Sequence, residues 1–113
     1  MVMAQTATPA FADSRALEAL PALCRRFRVR RLDLFGSAAT GRFDVGRSDL
    51  DFLVAFSDHL PPGVYAEAYF GLHGALESLF GRPIDLVTEP ALGNPHLRRR
   101  IEAERRPLFP PAA

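Results

Sequence analysis

The sequence predicts a small α+β domain, a mixed β-sheet with helices packed on it. Three observations lead there. Helical spacing and strand-like alternation follow one another in the order α-β-β-α-β-α, with short strands. Glycine and proline punctuate the junctions. The 113 residues, 48% hydrophobic and 24% charged, suit one domain that buries a core without metal or disulfide staples.

The elements follow in order. Residues 1–12 are small, polar and proline-punctuated and read as a flexible tail, as do residues 110–113, leaving the domain at 13–109. A first helix is predicted from about Asp13 to Phe27, with Leu17, Leu20, Leu23 or Cys24, and Phe27 at helical spacing. Pro21 either kinks it or opens a second, shorter helix. Val29 to Phe35 alternates as a strand and ends at Gly36. Residues 37–48 form a glycine-rich connection, and Asp49 to Phe56 is a second strand. After Pro61-Pro62-Gly63, an apolar stripe from Tyr65 to Phe80 marks a long helix over Val64–Phe80, stopped by Gly81. Pro83 to Val87 is a third strand, and the second half of Glu89 to about Arg106 is helical.

Composition excludes several functions. Cys24 is the sole cysteine, so no internal disulfide forms, and a reducing, cytoplasmic setting is expected. Its place on a helix reads as packing rather than reactivity. All 14 basic side chains are arginine, suited to bidentate phosphate or carboxylate contacts, yet the net charge is only +1. That balance argues against nucleic acid as a direct partner. No apolar run reaches membrane-spanning length, and the N-terminus lacks the pattern of a signal peptide.

The chemistry concentrates in the second and third strands. Asp49 and Asp51 lie two apart, so both side chains share one face, roughly 6–7 Å apart at the backbone. Like charges so placed repel unless a cation lies between them. Leu50, Phe52 and Val54 take the opposite face, while Leu53 and Ala55 continue the carboxylate face. Asp85, between Ile84 and Leu86, joins the pair if its strand lies beside theirs. Upstream, Gly36 lets the backbone approach a phosphate, and Ser37 and the amides after Gly36 can donate to its oxygens. A phosphate cradle beside grouped carboxylates describes metal-assisted phosphoryl or nucleotidyl transfer. Separately, a Gly-Ser turn or an Asp-x-Asp strand is commonplace. Together they are specific.

With these residues in view, LFGSAATGRFDVGRSDLDFLV, from Leu34 to Val54, resembles the signature of the DNA polymerase β-like nucleotidyltransferase superfamily. The tail IDLVTEPALGNPHLRRRIEAERRPLF is similar to that of its minimal (MNT) branch, and the likeness runs from about Leu32 to Phe109. The resemblance implies the polymerase β-like core and a nucleotide site at Gly36, Ser37 and Ser48. It also implies catalytic and metal-ligating roles for Asp49, Asp51 and Asp85, with two Mg²⁺ ions and ATP as substrate. The connecting loop is one residue longer than usual and lacks a frequent arginine, a place Arg42 or Arg47 could fill.

The resemblance further implies an antitoxin that transfers AMP to a tyrosine of a HEPN-type ribonuclease toxin, a partner this short chain needs for its acceptor. A non-catalytic antitoxin acting by contact alone, and nucleotidyl transfer to a small molecule or RNA, stand as alternatives. A homo-oligomer stays open. The remaining polar residues read as structural. His59, His73 and His96 lack metal-ligand spacing, Asp33 and Asp44 are expected in solvent, and Arg98–Arg100 with Arg105 and Arg106 form a solvated helix face.

Overall fold

The computed structural model describes residues 14–36, 39, 49–88 and 93–110. Within them run α1 (Ser14–Arg26), β1 (Val29–Phe35), β2 (Leu50–Phe56), α2 (Pro62–Phe80), β3 (Ile84–Thr88), α3 (Pro95–Glu104) and β4 (Arg106–Phe109). The strands form one mixed sheet in the order β3-β2-β1-β4. β1 is antiparallel to both β2 and β4, and β2 is parallel to β3. The α+β class and the mixed sheet are as expected.

Strand parity divides the core in two. Leu32 and Leu34 of β1, Leu50, Phe52 and Val54 of β2, and Ile84 and Leu86 of β3 face α1 and α2. There they meet Leu20 and Cys24 from α1, and Leu72, Leu76 and Phe80 from α2. Phe52 and Phe80 stack with ring centroids 5.8 Å apart. The opposite face carries Phe35 and Leu53, covered by Ile101 and Leu97 of α3. The sheet is therefore sandwiched between helices, and the carboxylate face is the one beneath α3.

Local chemistry sets the helix ends. Pro62 opens α2, where a missing N–H costs nothing. Gly81 closes it in the left-handed region (φ 66°), its N–H donating to the Glu77 carbonyl. Asn94 caps α3, its side-chain oxygen accepting from the amides of His96 (2.9 Å) and Leu97 (3.3 Å). Pro21 neither ends nor splits α1, which runs through it as one helix.

Several expectations are corrected. The last helix stops at Glu104, and residues 106–109 form an edge strand on β1. Pro107 concealed it, since proline suits only edge positions of a sheet. Asp33 is not solvated but wholly buried on β1. Arg105 is its partner, donating through Nε at 2.7 Å and also through its terminal nitrogen. The Arg31 Nε adds a contact at 3.2 Å. Arg105 thus leaves the solvated arginine face, while Arg98 and Arg99 stay on it. Cys24 is fully buried, and burial pushes its thiol up to about 12, which suits packing rather than chemistry. Asp44 and the tails 1–12 and 111–113 lie outside the described residues.

Candidate active site

The parallel pairing of β2 with β3 sets Asp51 directly beside Asp85, between the pairs Leu50–Ile84 and Phe52–Leu86. Those flanking residues point into the α1/α2 core, so both carboxylates take the α3 side. Asp49 stands exposed immediately before β2. Sequence parity predicted this placement, and strand adjacency supplies what it lacked.

The antiparallel register of β1 on β2 brings Phe35 opposite Asp51, so the next residue, Gly36, arrives at the same end of the sheet. Gly36 sits at φ 77°, and a Cβ there would overlap the Asp51 carboxylate. Only glycine allows this approach. The Ala39 amide donates back to the Gly36 carbonyl at 3.1 Å, closing a turn. Ser37, Ser48, Arg42 and Arg47 lie outside the described residues.

Two further residues of this site escaped the sequence reading. The Gly36 N–H donates to Glu104 Oε1 at 3.1 Å, across 68 residues of chain. One turn earlier on α3, Arg100 Nε lies 3.4 Å from the same Glu104 oxygen. The signal available was the spacing of Arg100, Ile101 and Glu104. With Ile101 buried against the sheet, its neighbours one turn apart flank the acids.

The electrostatics follow from this crowding. Asp51 is pushed from 3.8 up to about 6, first by burial and then by the charge of Asp85, with Asp49 and Glu104 adding to the rise and Arg100 opposing it. An ionised Asp51 is thus held at a cost that a cation would relieve. Among the described residues, no three His, Cys, Asp or Glu side chains gather as ligands about one point. The fold supplies an aligned pair, Asp51 and Asp85, with Asp49 at the strand entrance.

The other candidates stay structural. His73 Nε2 lies 2.9 Å from the Ile84 carbonyl, and His59 occupies a turn. Two concavities, of about 300 Å³ beside Arg26 and Phe27 and about 460 Å³ beside Phe56 and His59, lie at the opposite end of the sheet from the acids. Neither carries grouped carboxylates. Among the described residues no helix is long and apolar enough to cross a membrane.

Known proteins share this domain and its fold. The family model for the nucleotidyltransferase domain matches residues 17–108. A protein of Methanocaldococcus jannaschii, provisionally named a protein adenylyltransferase, is 33% identical over 79 residues, covering 70% of this chain and 76% of its own. A solved structure provisionally named a minimal nucleotidyltransferase superposes with TM-score 0.64 at 37% identity, over 83% of this chain and 90% of that one. Two toxin–antitoxin structures share the fold. One, solved with AMP-PNP, has TM-score 0.61 at 24% identity, over 82% of this chain and 72% of that one. The other, a tri-AMPylated Shewanella oneidensis HEPN toxin with its MNT antitoxin, has TM-score 0.56 at 20% identity, over 85% and 71%. With its paired acids beside a glycine turn and a family match along most of its length, the chain belongs to the nucleotidyltransferase domain family, in its minimal branch, and is a nucleotidyltransferase.

Proposed function

We propose that this chain is a Mg²⁺-dependent antitoxin that transfers AMP from ATP to a tyrosine of a HEPN-type ribonuclease toxin. The observation that supports this most is the alignment of Asp51 with Asp85, beside a glycine whose backbone abuts the Asp51 carboxylate. The names of the relatives, a protein adenylyltransferase and an AMPylated toxin with its antitoxin, supply the acceptor class.

The donor set fits a hard divalent cation. It offers carboxylate oxygens only, and burial, with the repulsion of Asp85 added to it, already raises Asp51. Mg²⁺ takes one or two protein carboxylates and completes its shell with water and substrate phosphates, so an aligned pair with Asp49 nearby is enough. Asp49, Asp51 and Asp85 would hold two such ions, which supply charge stabilisation at the attacking oxygen and the departing pyrophosphate.

The chain's own residues do the rest. Gly36, with Ser37 and Ser48, would take the nucleotide, since a glycine without a side chain leaves room for the triphosphate beside Asp51. The tyrosine oxygen bonds to the α-phosphorus as the bond from that phosphorus to the β-phosphate oxygen breaks. Pyrophosphate leaves, and the hydroxyl proton passes to Asp85. Incubation with labelled ATP, Mg²⁺ and the protein encoded by the neighbouring gene tests this. The label should move to that protein and should not do so with the D49N/D51N double variant. Transfer that is absent from the unaltered chain, or that survives both substitutions, contradicts the proposal.

A further inference from the structure

The nucleotide side of the site is held by a residue from the far end of the chain. Glu104 is the last residue of α3, and its side chain is 16% exposed. Its Oε1 accepts the Gly36 N–H at 3.1 Å. The following residue, Arg105, is locked to the buried Asp33 carboxylate on β1. Ile101, wholly buried, seats the same helix against Phe35 and Leu53. The C-terminal end of α3 is therefore fixed to the sheet by one apolar and one ionic contact on either side of Glu104. Its carboxylate reaches the Gly36 turn from a rigid base.

That contact matters because Gly36 has no side chain to fix it and adopts a left-handed conformation. Its N–H is the last donor of the β1 end before the turn, and its carbonyl is already used by Ala39. A carboxylate acceptor makes this a charge-assisted hydrogen bond, stronger than a neutral one. Arg100, at 3.4 Å from the same oxygen, offsets the added negative charge beside Asp51.

We propose that Glu104 is a positioning residue for the nucleotide: by accepting the Gly36 N–H it holds this glycine against the Asp51 carboxylate, where the triphosphate would approach. Glu104 acts through Gly36 and does not touch ATP. The proposal rests on the nucleotide site described under the proposed function.

Isothermal titration of ATP in the presence of Mg²⁺ tests it on the full chain. The unaltered chain is measured first. If it binds no ATP, the proposed function itself fails. Given binding, Glu104→Ala should weaken ATP about tenfold, the typical scale for losing a charge-assisted hydrogen bond. Glu104→Gln keeps an acceptor oxygen and should stay within about threefold of the unaltered chain. Ile101→Val thins the packing of the same helix and should lower the melting temperature without changing ATP affinity. ATP binding that is unchanged in Glu104→Ala, equally weak in Glu104→Gln, or equally weak in Ile101→Val overturns the proposal. Should Glu104→Ala not fold, amide exchange of Gly36 in the unaltered protein decides: a protected N–H supports the role, and exchange at the rate of an open turn overturns it.

Discussion

Replacing Asp51 with asparagine should stabilise the metal-free protein while destroying its activity. In the folded chain the Asp51 carboxyl rises from 3.8 to about 6, through burial first and Asp85 second. The folded state therefore binds this proton more tightly than the unfolded state does. Stability falls as pH climbs through the window between those two values, and the whole penalty is present above it. Each pH unit of difference is worth about 1.4 kcal/mol, so the unscreened penalty is ~3 kcal/mol. Asp51 is only half-buried, and water screens such a group, which leaves about 1 kcal/mol. Asparagine has the same shape without the charge. In EDTA at about pH 7.5 we expect D51N to melt roughly 4–8 °C above the unaltered chain. At about pH 3 the two should converge, because Asp51 is then protonated in the folded state and largely so in the unfolded one. Paired thermal melts at the two pH values measure this directly. A D51N variant that is less stable at neutral pH, or a difference independent of pH, would refute the reasoning.

Other consequences can be checked with similar tools. Gly36→Ala places a Cβ against the Asp51 carboxylate in a left-handed conformation. It should cost about 1–3 kcal/mol in urea unfolding and abolish ATP binding. Arg105→Met removes the hydrogen-bonded partner of the buried Asp33 charge and leaves the more exposed Arg31 beside it, and should cost about 3 kcal/mol. Adding Asp33→Leu to it should restore much of the loss, read as the midpoint of denaturation. Cys24, buried and with its thiol pushed up to about 12, should resist a thiol reagent in the native protein and react only at the rate of unfolding.

The parts of this molecule that were legible in the sequence are those governed by local periodicity. Alternation placed Val29–Phe35 as β1 with both ends matched, and the stripe from Tyr65 to Phe80 placed α2 to within two residues at its start. The same period of two set Asp49, Asp51 and Asp85 on one face, needing only the adjacency of β2 and β3 to align two of them. What stayed hidden depended on contacts far apart in the chain. Asp33 looks like a solvent-facing strand residue, yet its face also carries Phe35 and, across the register, Leu53. A face that apolar demands a cover, and α3 brings Arg105 with it. Helical spacing could have set Glu104 beside Ile101, but its role depends on a partner amide 68 residues away. β4 is four residues long with a proline inside it, too short and too irregular for alternation to register.

Under the proposed function, this chain neutralises its partner by covalent nucleotidyl transfer. Intact-mass analysis of the partner toxin, after incubation with the chain, ATP and Mg²⁺, tests it most directly, with ribonuclease activity followed in parallel. The toxin should gain the mass of AMP, the adduct should map to a tyrosine, and ribonuclease activity should fall in step with it, none of this occurring with D51N. A toxin that is silenced with no gain in mass, equally well by D51N, would rule out covalent transfer and leave neutralisation to contact alone.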